Sequence, residues 1–295
     1  MQIPLRPLGT RAASVLLAIT TLLGSVAPAI ALAQQTQTDT TGVKPSIEPL
    51  FTRRDAYYAG GFTLATIALF PLDRKLANNL QDKHNQSNRF FHHEATNFRL
   101  IAQPGAFAIG GALYLGGRLA HNERMADLGL HGSEAILVGL LATGAIKGTA
   151  GRARPYVDVN NPHDFGLFRG FRNGSDDSSF PSGHTLTGFA AASAVTAETH
   201  RWWPHSTWYI APVMYGGATL IGLSRMYNNK HWASDVMMGA AIGTFAGRKV
   251  VQYHHSHPKN RIDRWLLNAS IVPNPGGGLS FAFSATPGFD TGAAP

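Results

Sequence analysis

The 295-residue chain contains no cysteine, which excludes disulfide bonds and lipid attachment through an N-terminal cysteine. Charged residues are also scarce, at 14% of the chain, and the 17 acids are outnumbered by 25 lysines and arginines. A chain with so few charges and 32 glycines is more apolar than a nucleic-acid-binding protein usually is. We therefore expect no nucleic-acid partner, and the basic excess indicates an anionic partner such as a phosphate ester or a lipid headgroup.

The first 33 residues have the pattern of a secretory signal peptide. Arg6 and Arg11 precede an apolar stretch that ends in an A-x-A cleavage pattern, Ala31-Leu32-Ala33. Removing this segment lowers the formal net charge from +8 to +6, because it carries two arginines and no acid. An uncleaved N-terminal anchor is the alternative. The prediction is an exported protein, in the periplasm or on the periplasmic side of a bacterial membrane, with a flexible polar leader at residues 34–50.

Six apolar segments of helix length, rich in glycine and alanine, follow the leader. They exceed the usual length of a strand, so the sequence predicts an all-α fold, a helical bundle of about six helices. Pairs of small residues, such as Gly110-Gly111, Gly116-Gly117 and Gly216-Gly217, are expected to let these helices approach closely. The segments lie at residues 56–70, 105–120, 133–146, 185–196, 207–223 and 232–246.

The apolar segments leave open whether the bundle is soluble or lies in a membrane. A spanning helix needs about 20 apolar residues, and most of these segments are shorter or contain a charge. The best candidates for spanning are residues 207–223 and 234–247. Membrane association is slightly preferred.

Polar segments separate the apolar ones and follow them. Residues 73–98 and 157–180 are expected to be linkers and loops, and the body of the protein is expected to be one domain at 51–258. In the tail, residues 259–295, a period-two alternation at 279–284 follows 268–272, which predicts a small β-hairpin. The histidines at 92–93 and 254–257 are interpreted as solvated loop or tail residues rather than metal ligands.

One polar motif combines an arginine, a histidine and an aspartate. His231 and Asp235 are four residues apart, so on a helix they would share a face, and the carboxylate would hold one imidazole nitrogen while the other stays free to react. Arg225 precedes His231 by six residues, so on a single continuous helix the two side chains would point in different directions. The Asn228-Asn229 pair predicts a bend and a helix N-cap that bring the guanidinium to the histidine.

Two further motifs carry groups that bind phosphate. Ser182, Gly183 and His184 open the predicted 185–196 helix, and a helix start offers unpaired N–H groups to phosphate oxygens. Lys147 and Arg154 are seven residues apart, two turns of a helix, so both cations would point the same way if the helix continued. The alternative is an ordinary capped helix with an exposed histidine, preceded by a basic helix end. Arg152 fits that alternative better, as a cation that faces water or lipid headgroups.

Together, the three motifs resemble the signature of the type 2 phosphatidic acid phosphatase (PAP2) superfamily, which also contains bacterial acid phosphatases, glucose-6-phosphatase and vanadium haloperoxidases. The matching positions are Lys147-x6-Arg154-Pro155, Pro181-Ser182-Gly183-His184 and Ser224-Arg225-x5-His231-x3-Asp235. They occur in this order within residues 120–250. The resemblance implies an α-helical phosphatase that uses no metal or other cofactor.

The resemblance also implies a role for each motif residue. His231 would attack phosphorus and form a phosphohistidine, Asp235 would orient it, and His184 would protonate the leaving group. The phosphate would be bound by Lys147, Arg154, Ser182, Gly183 and Arg225. The implied substrate is a lipid phosphate, such as phosphatidic acid or a polyprenyl diphosphate. The alternatives are a soluble periplasmic acid phosphatase of broad specificity, a vanadium-dependent haloperoxidase and a non-catalytic envelope protein; the sequence does not indicate the oligomeric state.

Overall fold

The computed structural model describes residues 49–257, 260–267, 269–273 and 279–283. The predicted signal peptide, residues 1–33, and most of the predicted leader lie outside this part of the chain. The described residues are predominantly helical, which confirms the predicted all-α class. The helices are α1 (Arg53–Leu69), α2 (Asp73–Leu80), α3 (Lys83–Gln86), α4 (Arg89–Leu100), α5 (Ala106–Leu119), α6 (Glu123–Ala150), α7 (Arg169–Arg172), α8 (Gly183–Trp202), α9 (Thr207–Tyr227), α10 (Ala233–Ser256) and α11 (Arg261–Leu266).

Each of the six predicted apolar segments lies within or overlaps a helix, and α6 begins ten residues earlier than expected. The prediction that segment 73–98 is a linker without helices is wrong. This segment forms α2, α3 and most of α4. Polar side chains stabilise these short helices: Asp82 and Asn88 accept backbone N–H groups at the starts of α3 and α4. The apolar side chains of Leu76 and Leu80 are buried in the bundle core.

Glycine allows helices to pack closely in the bundle. Some of the glycines that do so are not among the pairs that were predicted. Along α10, Gly239, Gly243 and Gly247 recur every four residues and face the backbone of α8. A Cβ atom on Gly243 would lie 2.4 Å from the carbonyl oxygen of Leu186, closer than any side chain permits. The prediction for Gly216-Gly217 is wrong, since added Cβ atoms there would have no neighbour within 4 Å.

The central helix of the bundle is α8, which packs against α6, α9 and α10. Its inward positions Leu186, Ala190, Ala192 and Ala194 are fully buried. The loop 151–182, which contains the single-turn helix α7, leads from the C-terminal end of α6 to the N-terminal end of α8. The chain therefore returns to the same end of the bundle at which α6 finishes.

The outer faces of several helices carry exposed apolar side chains. Leu64 on α1, Leu141 on α6, and Trp208 and Val213 on α9 are each 68% exposed or more. Among the described residues, the stretches long and apolar enough to cross a membrane are His92–Leu119 and Glu123–Ala150. Neither candidate named from the sequence, 207–223 or 234–247, is one of them, and most of 234–247 is buried inside the bundle.

The stretch His92–Leu119 is not one straight helix. Gln103, with φ −147° and ψ 119°, and Pro104 interrupt it between α4 and α5. At the C-terminal end of the chain, where a hairpin was predicted, the backbone forms two antiparallel strands, β1 (Ala269–Pro273) and β2 (Leu279–Phe283).

Candidate active site

The motif residues come together at one end of the bundle. Two helices, α6 and α9, end there, and two others, α8 and α10, begin there. Lys147 lies in the last turn of α6 and Arg225 in the last turn of α9. His184 lies in the first turn of α8, and Asp235 in the first turn of α10. Helix C-termini favour cations, and helix N-termini favour bound anions. This end of the bundle is therefore suited to bind an anion such as phosphate.

The bend predicted between Arg225 and His231 is present. Helix α9 ends at Tyr227, and Asn229 has a left-handed backbone with φ +56°. The N–H of Lys230 then donates to the carbonyl oxygen of Arg225 at 3.0 Å, which closes the turn. The reversal places Arg225 and His231 at the same end of the bundle although they do not share a helix.

His231 and Asp235 are close, but not by the geometry that their spacing suggested. Helix α10 begins at Ala233, so His231 lies in the preceding turn, and the residue at the N-cap is Trp232 rather than an asparagine. Asp235 Oδ2 accepts the N–H of Trp232 at 2.8 Å, which folds this turn over the helix end. As a result, His231 Nδ1 lies 3.6 Å from Asp235 Oδ2.

His231 is almost completely buried, with 4% of its surface exposed. Burial lowers its pKa well below the usual imidazole value; the neighbouring charges of Lys147 and Arg154 lower it further, while Asp235 opposes them. The imidazole is therefore neutral at physiological pH. A neutral imidazole carries a lone pair on one ring nitrogen, which is the form needed for nucleophilic attack.

Asp235 is completely buried and ionised. Its Oδ1 accepts from Arg152 Nη1 at 2.5 Å, and its Oδ2 accepts from the hydroxyl of Ser179 at 2.5 Å. Burial alone would raise the pKa of Asp235, but the Arg152 guanidinium, the nearby His231 ring and the hydrogen bond from Ser179 lower it well below its ordinary value. Asp235 is thus held as a fixed anion beside His231.

Arg152 is a part of this centre that the sequence analysis assigned wrongly. Its side chain is fully buried, not directed to water or headgroups, and its Nη2 lies 2.7 Å from Asp73 Oδ2. The guanidinium also lies over the rings of Phe70 and Trp232, at 4.8 and 5.3 Å from their centroids. Its charge is therefore used inside the protein, where it pairs with two buried carboxylates.

The alignment of Lys147 and Arg154 was conditional on a continuous helix, and that condition is not met. Helix α6 ends at Ala150, and Gly151 follows in the left-handed region with φ +53°. The 151–182 loop positions both cations instead: Lys147 Nζ donates to the carbonyl of Ser178 at 2.5 Å, and Arg154 Nε donates to that of Ser175 at 2.6 Å.

The second motif is positioned by a helix cap. Ser182 is the N-cap of α8, and its Oγ accepts from the hydroxyl of Thr185 at 2.8 Å. The Ser182 N–H donates to the carbonyl of Asp235 at 2.9 Å, which joins the second motif to the third. Gly183 lies next to Lys147, since a Cβ atom added to it would be 3.9 Å from Lys147 Cε.

His184 and Arg225 show how strongly positive this end of the bundle is. Burial and the charge of Arg225, followed by other cations, lower the pKa of His184 to about 3. Burial and nearby arginines lower the pKa of Arg225 to about 10, and its buried Nε has no hydrogen-bond partner among the described residues. Because an unpaired buried cation is costly, this arrangement favours a bound anion.

Two further cations lie near the site, and the sequence analysis gave them no role. The exposed Arg99 on α4 contributes to the lowered pKa values of both His184 and Arg225. The ammonium of Lys230 lies 4.1 Å from the ring centroid of Tyr156. No short-range motif connects Arg99 to the site, because it is far from the three motifs in sequence.

Comparison with known proteins identifies a family for the segment that carries the motifs. The family model described as the PAP2 superfamily matches residues 130–259, the segment that contains all three motifs. This match covers 130 of the 295 residues, and it confirms the resemblance stated from the motifs.

Individual relatives are similar over shorter segments. A lipid A 1-phosphatase of Porphyromonas gingivalis is 42% identical over 85 residues, which are 29% of this chain and 18% of the relative. An undecaprenyl-diphosphatase of Sulfolobus acidocaldarius is 29% identical over 90 residues, 30% of this chain and 40% of the relative. The crystal structure of Aquifex aeolicus LpxE aligns with 62% of this chain and 96% of its own, at 24% identity and a TM-score of 0.42. The chain thus spans less than half of the length of these two curated relatives.

Proposed function

We propose that the protein is a metal-independent lipid phosphatase that transfers phosphate to His231 and then to water. One observation carries this proposal: the cations Lys147 and Arg154 lie near a buried neutral histidine, His231, next to a helix N-terminus, and Arg225 lies near both cations. An ionised carboxylate, Asp235, lies behind that histidine at 3.6 Å. This combination suits attack on a phosphate whose negative charge must be bound while the nucleophile stays neutral.

In the first step, the imidazole nitrogen of His231 attacks phosphorus in line with the bond to the leaving oxygen. The N–P bond forms as the P–O bond breaks, and the ring becomes a cationic phosphohistidine that Asp235 stabilises. The phosphoryl oxygens are bound by the three cations, the Ser182 hydroxyl and the N–H of Gly183. Water then attacks the phosphohistidine, which releases inorganic phosphate and restores neutral His231.

His184 supplies the proton for the leaving group and removes one from water in the second step. In the free protein its pKa is lowered to about 3, so at neutral pH it is not protonated. Burial is the largest cause of this low pKa, and the nearby cations add to it. A bound phosphate dianion would offset the cations and raise the pKa of His184, which favours its protonated form in the complex.

The surface of the bundle favours a lipid substrate over a soluble ester. Large apolar side chains on α1, α6 and α9 face outward, and two stretches have the length and hydropathy of membrane spans. The relatives named lipid A 1-phosphatase and undecaprenyl-diphosphatase support the same class of substrate. We therefore place the substrate among lipid phosphates and diphosphates, including phosphatidic acid and polyprenyl diphosphates. We place the protein at a bacterial envelope membrane, with its site on the periplasmic side.

The first prediction tests the nucleophile. Purified protein in detergent should release phosphate from at least one of phosphatidic acid, a polyprenyl diphosphate, lipid A and p-nitrophenyl phosphate, with EDTA present. His231→Ala should remove this activity, since nothing replaces the attacking nitrogen. The matched control is His205→Ala, which changes an exposed histidine and should leave turnover unchanged.

Three outcomes separate the alternatives. Turnover of p-nitrophenyl phosphate without any lipid phosphate would favour a broad acid phosphatase. Oxidation of bromide after addition of vanadate would favour the haloperoxidase alternative. A His231→Ala protein that keeps its helical circular dichroism and most of its activity would show that the nucleophile is misassigned.

A further inference from the structure

A second cluster of ionisable side chains lies at the opposite end of the bundle from the candidate active site. His131 is sixteen residues before Lys147 on α6, a separation of about 24 Å along the helix. The cluster combines His131 with Glu198 near the end of α8, His254 and His255 at the end of α10, and Asp263 of α11. None of these residues has a role in the proposed hydrolysis.

The histidines of this cluster differ from what the sequence suggested. The group at 254–257 was interpreted as solvated loop or tail residues, yet His254 lies within α10 and is 2% exposed. His131 is also 2% exposed, and the rings of His131 and His254 stack with their centroids 4.1 Å apart. Two buried histidines therefore share one place in the fold.

Each of these two histidines has one ring nitrogen held by a carboxylate. His131 Nδ1 lies 2.5 Å from Glu198 Oε1, and His254 Nε2 lies 2.7 Å from Glu134 Oε2. The carboxylates fix both the orientation of the rings and the position of the proton, which is how histidine ligands of metal ions are held in proteins. The second nitrogen of each ring is then left for another partner.

The remaining nitrogens converge on Asp263. His254 Nδ1 lies 2.6 Å from Asp263 Oδ1, and His131 Nε2 lies 3.5 Å from the same oxygen. His131 Nε2 is buried and makes no hydrogen bond with any described residue. A buried ring nitrogen without a hydrogen bond is costly and favours a ligand at this position. The three atoms lie within 4.8 Å of one another.

We propose that His131 Nε2, His254 Nδ1 and Asp263 Oδ1 bind a divalent transition-metal ion of the zinc type. Two imidazoles and a carboxylate are common ligands of Zn²⁺, at about 2.0–2.2 Å from the ion. Around a tetrahedral ion such ligand atoms are about 3.3 Å apart, so Asp263 Oδ1 and His254 Nδ1 would separate by less than about 1 Å. Water completes the coordination.

Charge supports the same assignment. Among the described residues, Glu134, Glu198 and Asp263 form their ion pairs with histidines. Asp127 also lies near His131, so the cluster holds four carboxylates, and a divalent cation would reduce the repulsion among them. The ion would also join the short helix α11 to α6 and α10, so its role is to fasten this segment to the bundle.

A second set of atoms in the cluster competes for the same ion. His131 Nδ1, Glu198 and His255 Nε2 also lie within 4.8 Å of one another. That arrangement would use the nitrogen of His131 that is already hydrogen-bonded and leave the unpaired Nε2 without a ligand. The first set is therefore favoured, and variants at Asp263 and His255 distinguish the two.

The test is a Zn²⁺ titration of the full protein, purified without a histidine tag, stripped with chelator and dialysed. In competition with a chromogenic chelator, the protein should bind one Zn²⁺ per chain, and Co²⁺ should give the visible absorption of a tetrahedral site. Asp263→Asn should weaken Zn²⁺ binding at least tenfold, and His131→Ala at least a hundredfold. The matched control His205→Ala should bind Zn²⁺ like the wild type.

Asp263 is partly exposed, so Asp263→Asn is expected to fold even if His131→Ala does not. Circular dichroism checks the folding of both variants. Absence of stoichiometric binding to the stripped wild type would overturn the proposal. So would an unchanged affinity in Asp263→Asn. Loss of binding in His255→Ala with full binding in Asp263→Asn would overturn the assigned ligands. The titration needs no activity measurement, so it is independent of the proposed hydrolysis.

Discussion

At the scale of single residues, the ionisation of the two site histidines depends on the cations around them. Lys147 and Arg154 act on His231, and Arg225 acts most strongly on His184. Burial is the largest cause of both lowered pKa values, and the charges that would bind phosphate lower them further, so both imidazoles are neutral in the free protein. Binding and reactivity are linked through one group of charges.

A pH profile tests this link. His231 must be unprotonated to attack, and its lowered pKa means that this form persists as the pH falls below 6.5. We expect kcat/KM to show no acid-side decline centred at the ordinary imidazole pKa. Lys147→Gln removes one of the lowering charges, so besides losing activity it should move the acid-side midpoint to higher pH. The measurement is kcat/KM for one soluble ester in both proteins between about pH 4 and 8. Because the ester is the same, its ionisation cancels when the two profiles are compared.

An unchanged midpoint in Lys147→Gln would contradict the proposed effect of this charge on His231. A wild-type decline centred near pH 6.5 that is larger than the second ionisation of the ester accounts for would contradict the lowered pKa of His231.

Arg152 supports the site from behind rather than contacting the substrate. In the interior of the protein, Arg152 forms one ion pair with Asp235 and another with Asp73. Arg152→Met should lower the free energy of unfolding by about 3–5 kcal/mol, because two buried carboxylates lose their cation. Phosphate release should fall as well, since Asp235 no longer holds its position.

The control for this substitution is Arg201→Met, which changes an exposed arginine at the end of α8 and should alter stability little. Stability is measured by chemical unfolding in detergent. Adding Asp73→Asn to Arg152→Met should recover part of the lost stability, because one unpaired charge is removed; no recovery would contradict the assigned ion pair.

At the scale of secondary-structure elements, close contact between α8 and α10 sets the geometry of the site. Both helices begin at the active end, carrying His184 and Asp235. The glycines on α10 let its backbone lie directly against that of α8. Any increase in helix separation would move the start of α8, the proposed phosphate-binding site, away from His231, the proposed nucleophile.

A pair of glycine substitutions tests this packing. Gly243→Ala would place a Cβ atom 2.4 Å from the Leu186 carbonyl oxygen, and we expect a loss of about 1–3 kcal/mol in stability. Gly216→Ala on α9 meets no atom within 4 Å and should stabilise the protein by up to about 1 kcal/mol, the difference in helix propensity. Melting temperatures in the same detergent compare the two. Equal shifts would contradict the close approach of α8 and α10.

At the scale of the whole molecule, the outward faces of the helices are apolar while the charged groups gather at the two ends of the bundle. The cations of the candidate site lie at one end and the histidine–carboxylate cluster at the other. Such a distribution is typical of a helical protein whose sides contact lipid. The bent stretch His92–Leu119 and the long helix α6 contribute much of this apolar surface.

Cell fractionation tests the membrane proposal. The protein should stay with the membrane pellet after osmotic shock and an alkaline carbonate wash, and detergent should extract it, because burying this much apolar surface in lipid is strongly favourable. A known soluble periplasmic protein provides the control in the same fractions. Release of the protein into the osmotic-shock fluid would contradict the proposal and favour the soluble acid-phosphatase alternative.

What could be predicted from the sequence was local. The helices were found because apolar length and glycine and alanine content are properties of a short window. The eight motif positions were found because the residues of each motif lie within about a dozen residues of one another and their order matches one superfamily. The bend before His231 followed from Asn228-Asn229, and the structure places it there.

Only the tertiary structure decided how distant charges pair. Arg152 lies 79 residues from Asp73 and 83 from Asp235, so no local pattern distinguished it from a basic residue at a helix end. The same reason hid the cluster of His131, His254 and Asp263, whose members meet only when α6, α10 and α11 pack together. Local spacing thus determined which residues the protein offers for phosphate chemistry. The packing of helices determined which charges are buried and what each of them contacts, because burial and pairing depend on parts of the chain that are far apart in sequence.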